Sequence, residues 1–345
     1  MLQASVTKHI LKFNEPSGTS RGILTEKPSW FLRIWDSENP EIVGIGEIST
    51  IPKLSPETDK VVEHQLEQKL RNLNAVNVSD DEQWRNLPAL RFGFETALLD
   101  LQNGGKHILY QSDFTSGKTG IPINGLVWMG DFETMGRRVQ QKIDEGFRCI
   151  KLKIGAIDFQ QELRLIEFIA NNFPEIEIRL DANGAFNPND ALQKLNTISK
   201  FPIHSIEQPI RAGQWQQMAQ LCKQSPIRIA LDEELIGIED NIDAMLDAIM
   251  PQFIILKPSL IGGLKQSERW IKAAENRGIG WWATSALESN FGLNAIAQWV
   301  YNHGFNMPQG LGTGKIYSNN IPSPLDMHNA HLWHLATEKW DETKI

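Results

Sequence analysis

The feature that most constrains this chain is a repeat of short apolar runs that end in polar residues, each followed by a longer amphipathic stretch. From about residue 120 these runs fall at 123–127, 149–154, 176–181, 203–207, 227–232, 253–257, 280–285 and 309–313. From Lys153 to Asp181, Glu207, Asp232, Lys257 and Ser285, near the ends of the runs, the intervals are 28, 26, 25, 25 and 28 residues. A strand-plus-helix unit of this length, repeated eight times, predicts a β/α barrel. The intervening stretches agree: Phe159, Leu163, Ile166 and Ile169 mark one helical face, with Asp158 placed to cap it. A doubly wound open sheet would carry a glycine fingerprint after its first strand. No such fingerprint is present: Gly310, Gly312 and Gly314 alternate late in the chain and carry little weight for phosphate binding.

The first 115 residues lack this period. Two β-rich segments, 29–36 and 41–47, flank a turn at Asn39-Pro40 and predict a hairpin or meander. Helical spacing follows, with Val61, Val62, Leu66, Leu70 and Leu73 over 56–73 and Phe94, Ala97, Leu98 and Leu101 over 92–101. This part reads as a small α+β domain.

Composition excludes several function classes. Acidic residues outnumber basic ones 42 to 34 and the net charge is −8, with no basic block, which argues against nucleic acid or an anionic membrane as partner. Cys149 and Cys222 are 73 residues apart with no metal-type spacing, so a disulfide framework and a thiolate zinc site are not indicated. Charges break the N-terminal segment before any long apolar run develops. The expectation is a cytoplasmic protein acting on a small molecule, with its oligomeric state open.

Barrel active sites sit at the C-terminal ends of the strands. Here those ends read Lys151-Leu152-Lys153, Asp181-Ala182-Asn183, Glu207-Gln208-Pro209, Asp232-Glu233-Glu234 and Lys257-Pro258. Neighbouring strands lie ~4.8 Å apart, so carboxylates at equal heights on three of them are expected to converge on one cation. Asp181, Glu207 and Asp232 are therefore the candidate metal ligands. An all-oxygen set suits Mg²⁺, or Mn²⁺, better than Zn²⁺. Lys151 and Lys153, two apart on a strand, share a face and are expected to lower each other's pKa, preparing a base for work near neutral pH. Lys257, four strands away in a ring of eight, faces Lys153 across the barrel. A carboxylate substrate between two lysines and a metal fits α-proton abstraction to an enediolate.

In this order and spacing the set Lys-x-Lys, Asp-Ala-Asn, Glu-Gln-Pro, Asp-Glu and Lys-Pro resembles the muconate-lactonizing subgroup of the enolase superfamily. A Lys or His base working with Mg²⁺ is that superfamily's known chemistry. The resemblance spans nearly the whole chain. It implies a (β/α)7β TIM-like barrel over 116–320, an N-terminal α+β capping domain over 1–115 with a lid loop near 17–22, and a C-terminal segment, 321–345, that packs back on the cap. It also implies that Asp181, Glu207 and Asp232 bind Mg²⁺ and that Lys153 and Lys257 are the catalytic lysines.

Within the subgroup the chain is most similar to the branch that dehydrates a hydroxycyclohexadiene carboxylate bearing a succinyl arm, on the strength of the loop at 17–22 and the endings 285–289 and 310–313. Lys153 is then the base and Lys257 the stabilising cation. Lys151, Asn183, Glu233, Arg21, Ser285, Glu288, Gly312 and Thr313 are expected to support these groups or touch the substrate, with Arg21 gripping a carboxylate from the lid. Dipeptide epimerases resemble one another in an Asp-x-Asp pair after the last strand. This chain has Gly312-Thr313-Gly314-Lys315 there, and a cationic Lys315 suits an anionic arm. Racemisation of N-acylamino acids stays open, since opposed lysines can serve as two bases. A metal-free hydrolase using Glu207 and Asp232 as an acid/base pair also stays open, but it leaves the lysines without a role. His328, His331 and His334 read as part of a C-terminal surface helix or tail.

Overall fold

The computed structural model describes residues 1–19, 22–128 and 130–345. Three strands open the chain, β1 (Leu2–Thr19), β2 (Gly22–Asp36) and β3 (Asn39–Ser49), paired antiparallel in sequence order. The predicted hairpin is β2–β3, in register from Ser29↔Ser49 to Trp35↔Val43. The long β1 was not legible, because its mixed polar sequence lies at the sheet edge. Helices α1 (Asp59–Arg71) and α2 (Pro88–Gln102) follow. The N-terminus of α2 is capped from outside the helix: Glu57 Oε1 accepts the amides of Ala89 and Leu90 at 2.7 and 3.3 Å. Leu32, Ile34, Ile48, Leu66, Leu90 and Phe94 bury this layer's core. The helix approaches β3 so closely that a Cβ on Gly46 would stand 1.9 Å from the Gly93 carbonyl oxygen.

After β4 (Ile121–Pro122) the regular α/β part begins. Its strands are β5 (Gly125–Val127), β6 (Cys149–Lys153), β7 (Glu177–Asp181), β8 (Ile203–Glu207), β9 (Ile229–Leu231), β10 (Phe253–Leu256) and β11 (Gly280–Ala283). They form one seven-stranded sheet in sequential order, and every pair is parallel. Helices α3 (Phe132–Asp144), α4 (Phe159–Asn172), α5 (Pro188–Ile198), α6 (Trp215–Gln224), α7 (Ile242–Ile249), α8 (Pro258–Ile261) and α9 (Gly263–Glu275) connect them, and α10 (Asn290–His303) follows β11. Asp158 caps α4 as expected, accepting from the Gln160 amide.

The sheet curls. The segment expected as an eighth strand, 309–313, makes only isolated parallel bridges, Gln309 to Ile123 and Gly310 to Thr284, so it touches both edge regions without extending as a strand. Pro308 and the glycines at 310 and 312 give it little strand propensity. A Cβ on Gly310 would stand 2.2 Å from Thr284 Oγ1, so glycine is required for that approach.

Inside the curl, Arg179 lies over the Trp282 ring at 4.6 Å, donates to the Pro308 carbonyl at 2.8 Å and pairs with Glu177 on its own strand. This buried cation plugs the end opposite the site, so it partners no carboxylate of the strand ends. The histidines at 328, 331 and 334 lie on a hairpin, β12 (Leu325–His328) and β13 (His331–His334), that pairs with β4, not on a helix. Alternation buries His334 and Leu332 while His331 remains partly exposed, a period-two pattern that the i, i+3, i+6 spacing concealed. Beyond it Trp340 stacks on Phe291 at 4.3 Å, and Ile345 packs with Phe31 and Ile45 of the first sheet. Among the described residues no helix is long and apolar enough to cross a membrane.

Candidate active site

Strand register sets the order of the polar groups. Lys153 pairs with Asp181, and Asp181 with Glu207, so these three stand side by side at one level. On β9, however, the partner of Glu207 is Ala230, and Asp232 comes two residues later. Asp232 therefore faces the same way as its neighbours but one inward position further along, and the expected equal height holds for only two of the three carboxylates. Ile150 and Leu152 alternate into the apolar core, leaving Lys151 and Lys153 on the inner face.

Each carboxylate meets an ammonium group. Lys151 Nζ lies 2.9 Å from Asp181 Oδ2 and 2.5 Å from Glu207 Oε2, Lys153 Nζ lies 2.8 Å from Asp181 Oδ2, and Lys257 pairs closely with Asp232. This arrangement corrects the expectation that Lys151 is held towards neutrality by its lysine neighbour. Burial does oppose charge on Lys151, but Asp181, Glu207 and Asp232 outweigh it and hold its pKa well above the ordinary lysine value. Burial likewise opposes charge on Lys257, and Asp232 and Glu207 raise its pKa. Asp181 is fully buried, and despite that burial the two lysines hold its carboxyl far below the usual range.

Among the described residues no group of three His, Cys, Asp or Glu side chains stands ready to hold a metal ion, because Lys151 bridges two of the three expected ligands. The residues nevertheless suit a divalent cation. The donors are all oxygen, and Glu207 Oε1 is buried without a hydrogen-bond partner. Burial and the adjacent Asp181 push the Glu207 carboxyl well above its ordinary pKa, the mark of carboxylates crowded beyond what the lysines neutralise.

A chain of hydrogen bonds orients Lys153: it donates to Asn183 Oδ1 at 2.7 Å, and Asn183 Nδ2 donates to Glu233 Oε1 at 3.0 Å. Asn183 has φ 43°, a left-handed conformation that asparagine tolerates better than most residues. Gln208, buried and also left-handed, was not singled out from the sequence although it stands inside the Glu-Gln-Pro motif. Its Oε1 accepts the amides of Asp232 and Glu234 and its Nε2 donates to Glu234 Oε2, so it ties the end of β8 to the end of β9.

A cavity of about 100 Å³ opens over these groups. Lys151, Lys153, Asn183, Glu233, Lys257, Ser285, Gly312 and Thr313 all border it, joined by Ile51 and Leu54 from the N-terminal part and by Trp128 and Leu287. Glu288 and Lys315 do not border this cavity. Glu288 stands behind the wall, fully buried, accepting from Ser285 Oγ at 2.7 Å and from Ser259. Lys315 faces an adjoining cleft and is paired with Asp326 at 3.0 Å, so its charge is already matched outside the lysine-lined cavity. Arg21 lies outside the described residues. Sequence reasoning missed Lys27, Glu47 and Tyr317, which sit just behind this wall. No local motif marks them, since the contacts that tie them to this wall span from 30 to 260 residues.

Comparison with known proteins places the chain in a family. The family model for enolase C-terminal domain-like proteins matches residues 134–332. The chain is 47% identical to o-succinylbenzoate synthase from Desulfotalea psychrophila, over 94% of this chain and 96% of that one. It is 28% identical to an L-amino acid-D/L-Glu epimerase from Francisella philomiragia over 48% of the chain and 46% of that protein. In structure it is similar to MenC from Desulfotalea psychrophila, with TM-score 0.85 and 43% identity over 96% of this chain and 99% of that one. Muconate lactonizing enzyme from Pseudomonas putida shares the fold, with TM-score 0.80 at 19% identity over 99% and 97%. The chain therefore belongs to the enolase superfamily, and within it to the family of o-succinylbenzoate synthases.

Proposed function

We propose that this protein converts 2-succinyl-6-hydroxy-2,4-cyclohexadiene-1-carboxylate to o-succinylbenzoate with loss of water, a carbon–oxygen lyase reaction of menaquinone biosynthesis. The observation that carries this reading is the 47% identity to the Desulfotalea psychrophila synthase across almost the full length of both chains. The curled sheet is read as a (β/α)7β barrel completed by 309–313, with residues 1–115 as its cap and 321–345 returning to that cap.

In its neutral form Lys153 removes the proton α to the ring carboxylate, giving an enediolate. The same group then returns that proton to the departing hydroxyl, so that C–H and C–O bonds break, water leaves and the ring becomes aromatic. Lys257, kept protonated by Asp232 and Glu207, stabilises the developing negative charge from the other side. Asp181, Glu207 and Asp232 would hold a divalent cation, with Mg²⁺ the best fit to their hard oxygen donors and Mn²⁺ a substitute. That ion would supply further stabilisation of carboxylate charge. The Asn183–Glu233 chain keeps the Lys153 amine aimed into the cavity, and Ile51, Leu54 and Leu287 supply apolar walls against which a carbocyclic ring is desolvated.

The test is the fall of cyclohexadiene absorbance when purified protein meets the substrate with Mg²⁺, with and without EDTA. Metal-dependent conversion at kcat/KM above ~10⁴ M⁻¹s⁻¹ supports the reading. A protein that binds Mg²⁺ but does not convert this substrate redirects the assignment to racemisation of N-acylamino acids by the same lysines.

A further inference from the structure

Leu287 borders the cavity, yet its backbone has φ 63°, the left-handed region that a leucine rarely adopts. Something must hold it there, because such a conformation is strained for a leucine and persists only where surrounding bonds impose it. The bonds are visible. The Leu287 carbonyl oxygen accepts from Lys27 Nζ at 3.0 Å and from the Tyr317 hydroxyl at 2.6 Å, and the Leu287 amide donates to Ser285 Oγ at 2.9 Å.

Both donors come from far away in sequence. Lys27 belongs to β2 and is fully buried. Its amine also donates to Ser49 Oγ; burial pushes its pKa down, and the carboxylates of Glu47 and Glu288 offset that only in part. Glu47 in turn accepts the amides of Ser289 and Gly292, both at 2.9 Å, so the start of α10 is tied to β3 as well. Tyr317 packs its ring against Phe13 of β1 at 4.7 Å. The N-terminal strands therefore reach the 285–292 turn through three separate groups, and a fully buried lysine is costly unless its bond matters.

We propose that Lys27 and Tyr317 are positioning residues that hold Leu287 in its left-handed conformation, so that the N-terminal sheet sets the shape of the substrate wall and thereby substrate affinity. Neither touches the cavity, and both act through one backbone carbonyl. The effect on catalysis rests on reading that cavity as the substrate site, whereas the effect on the turn does not.

Two readouts separate these. Lys27→Met and Tyr317→Phe are each compared with wild type by steady-state kinetics and by amide hydrogen exchange across 285–292. Expected are a KM raised roughly tenfold with kcat changed less than threefold, and faster exchange confined to that turn. Tyr317→Phe keeps the ring packing and removes only the hydroxyl, so it tests the idea even if Lys27→Met fails to fold. Unchanged exchange at 285–292 in folded Tyr317→Phe overturns the proposal. Faster exchange with unaltered KM in an active enzyme overturns the specificity role. Absence of synthase activity in the wild type would instead count against the proposed reaction, leaving the exchange result to decide the positioning role.

Discussion

Lys153 and Asp181 are register partners on adjacent parallel strands, and the amine of one lies 2.8 Å from the carboxylate of the other. The proposed base and its nearest carboxylate are thus held by backbone hydrogen bonding rather than by a loop, and both project from strand ends whose neighbours are fixed. Rigid placement of this kind is what proton transfer requires, since a displacement of about an ångström can cost about a hundredfold in rate.

Replacing Lys153 by Ala is expected to lower kcat by ~10²–10⁴-fold, the usual worth of a positioned general base, and Lys257→Ala to lower it comparably. Circular dichroism and thermal melts should show both variants folded. Full activity in either would remove the two-lysine scheme.

Chelation should abolish activity, and Mg²⁺ or Mn²⁺ should restore it. Because a cation bound only by the folded state stabilises that state, saturating Mg²⁺ is also expected to raise Tm, by ~2.7 kcal/mol of stability at a hundred times Kd. Asp181→Asn should lose this Mg²⁺-dependent rise. A Tm insensitive to Mg²⁺ in the wild type would contradict the ligand assignment.

His107 supplies a pH dependence away from the active site. Burial opposes its charge, but Asp100 at 2.7 Å and Glu342 at 3.1 Å outweigh that and push its pKa up to about 9. A folded-state pKa above the unfolded value near 6.5 stabilises the protein fully below about pH 6.5, and that contribution is lost as pH rises through about 9. The loss should approach about 3 kcal/mol. Thermal melts between pH 6 and 10 should show it, and His107→Gln should flatten the curve over that window.

Gly46→Ala is expected to destabilise the N-terminal layer by about 3 kcal/mol, the upper end for overpacking, because the added Cβ would meet the Gly93 carbonyl at 1.9 Å and neither backbone can yield. Denaturant melts monitored by tryptophan fluorescence would register this through Trp30 and Trp84, which are buried in that layer. An unchanged midpoint would mean that α2 can move away from β3.

Much of the molecule is legible in its sequence. The 25–28-residue spacing of Lys153, Asp181, Glu207, Asp232 and Lys257 reflects a periodic backbone, and periodicity survives in sequence because each strand and helix must bury its own face. The same locality explains the helices over 59–71 and 88–102. It overreaches where structure is not periodic: 309–313 reads as an eighth strand but makes only isolated bridges at Gln309 and Gly310, and the three histidines near the end fit a hairpin as well as a helix until pairing with β4 selects one.

The order of lysines and carboxylates along the strands came from the sequence alone, since side chains two apart on a strand share a face whatever the rest of the chain does. Their heights, their charges and the wall above them did not. Asp232 sits one inward position beyond Glu207 because of strand register. Lys151 stays charged because two carboxylates from other strands surround it. Leu287 faces the cavity because Lys27, 260 residues earlier, and Tyr317, 30 residues later, both hold its carbonyl. Through-space contacts between distant segments decide such things, and only the folded chain brings those segments together.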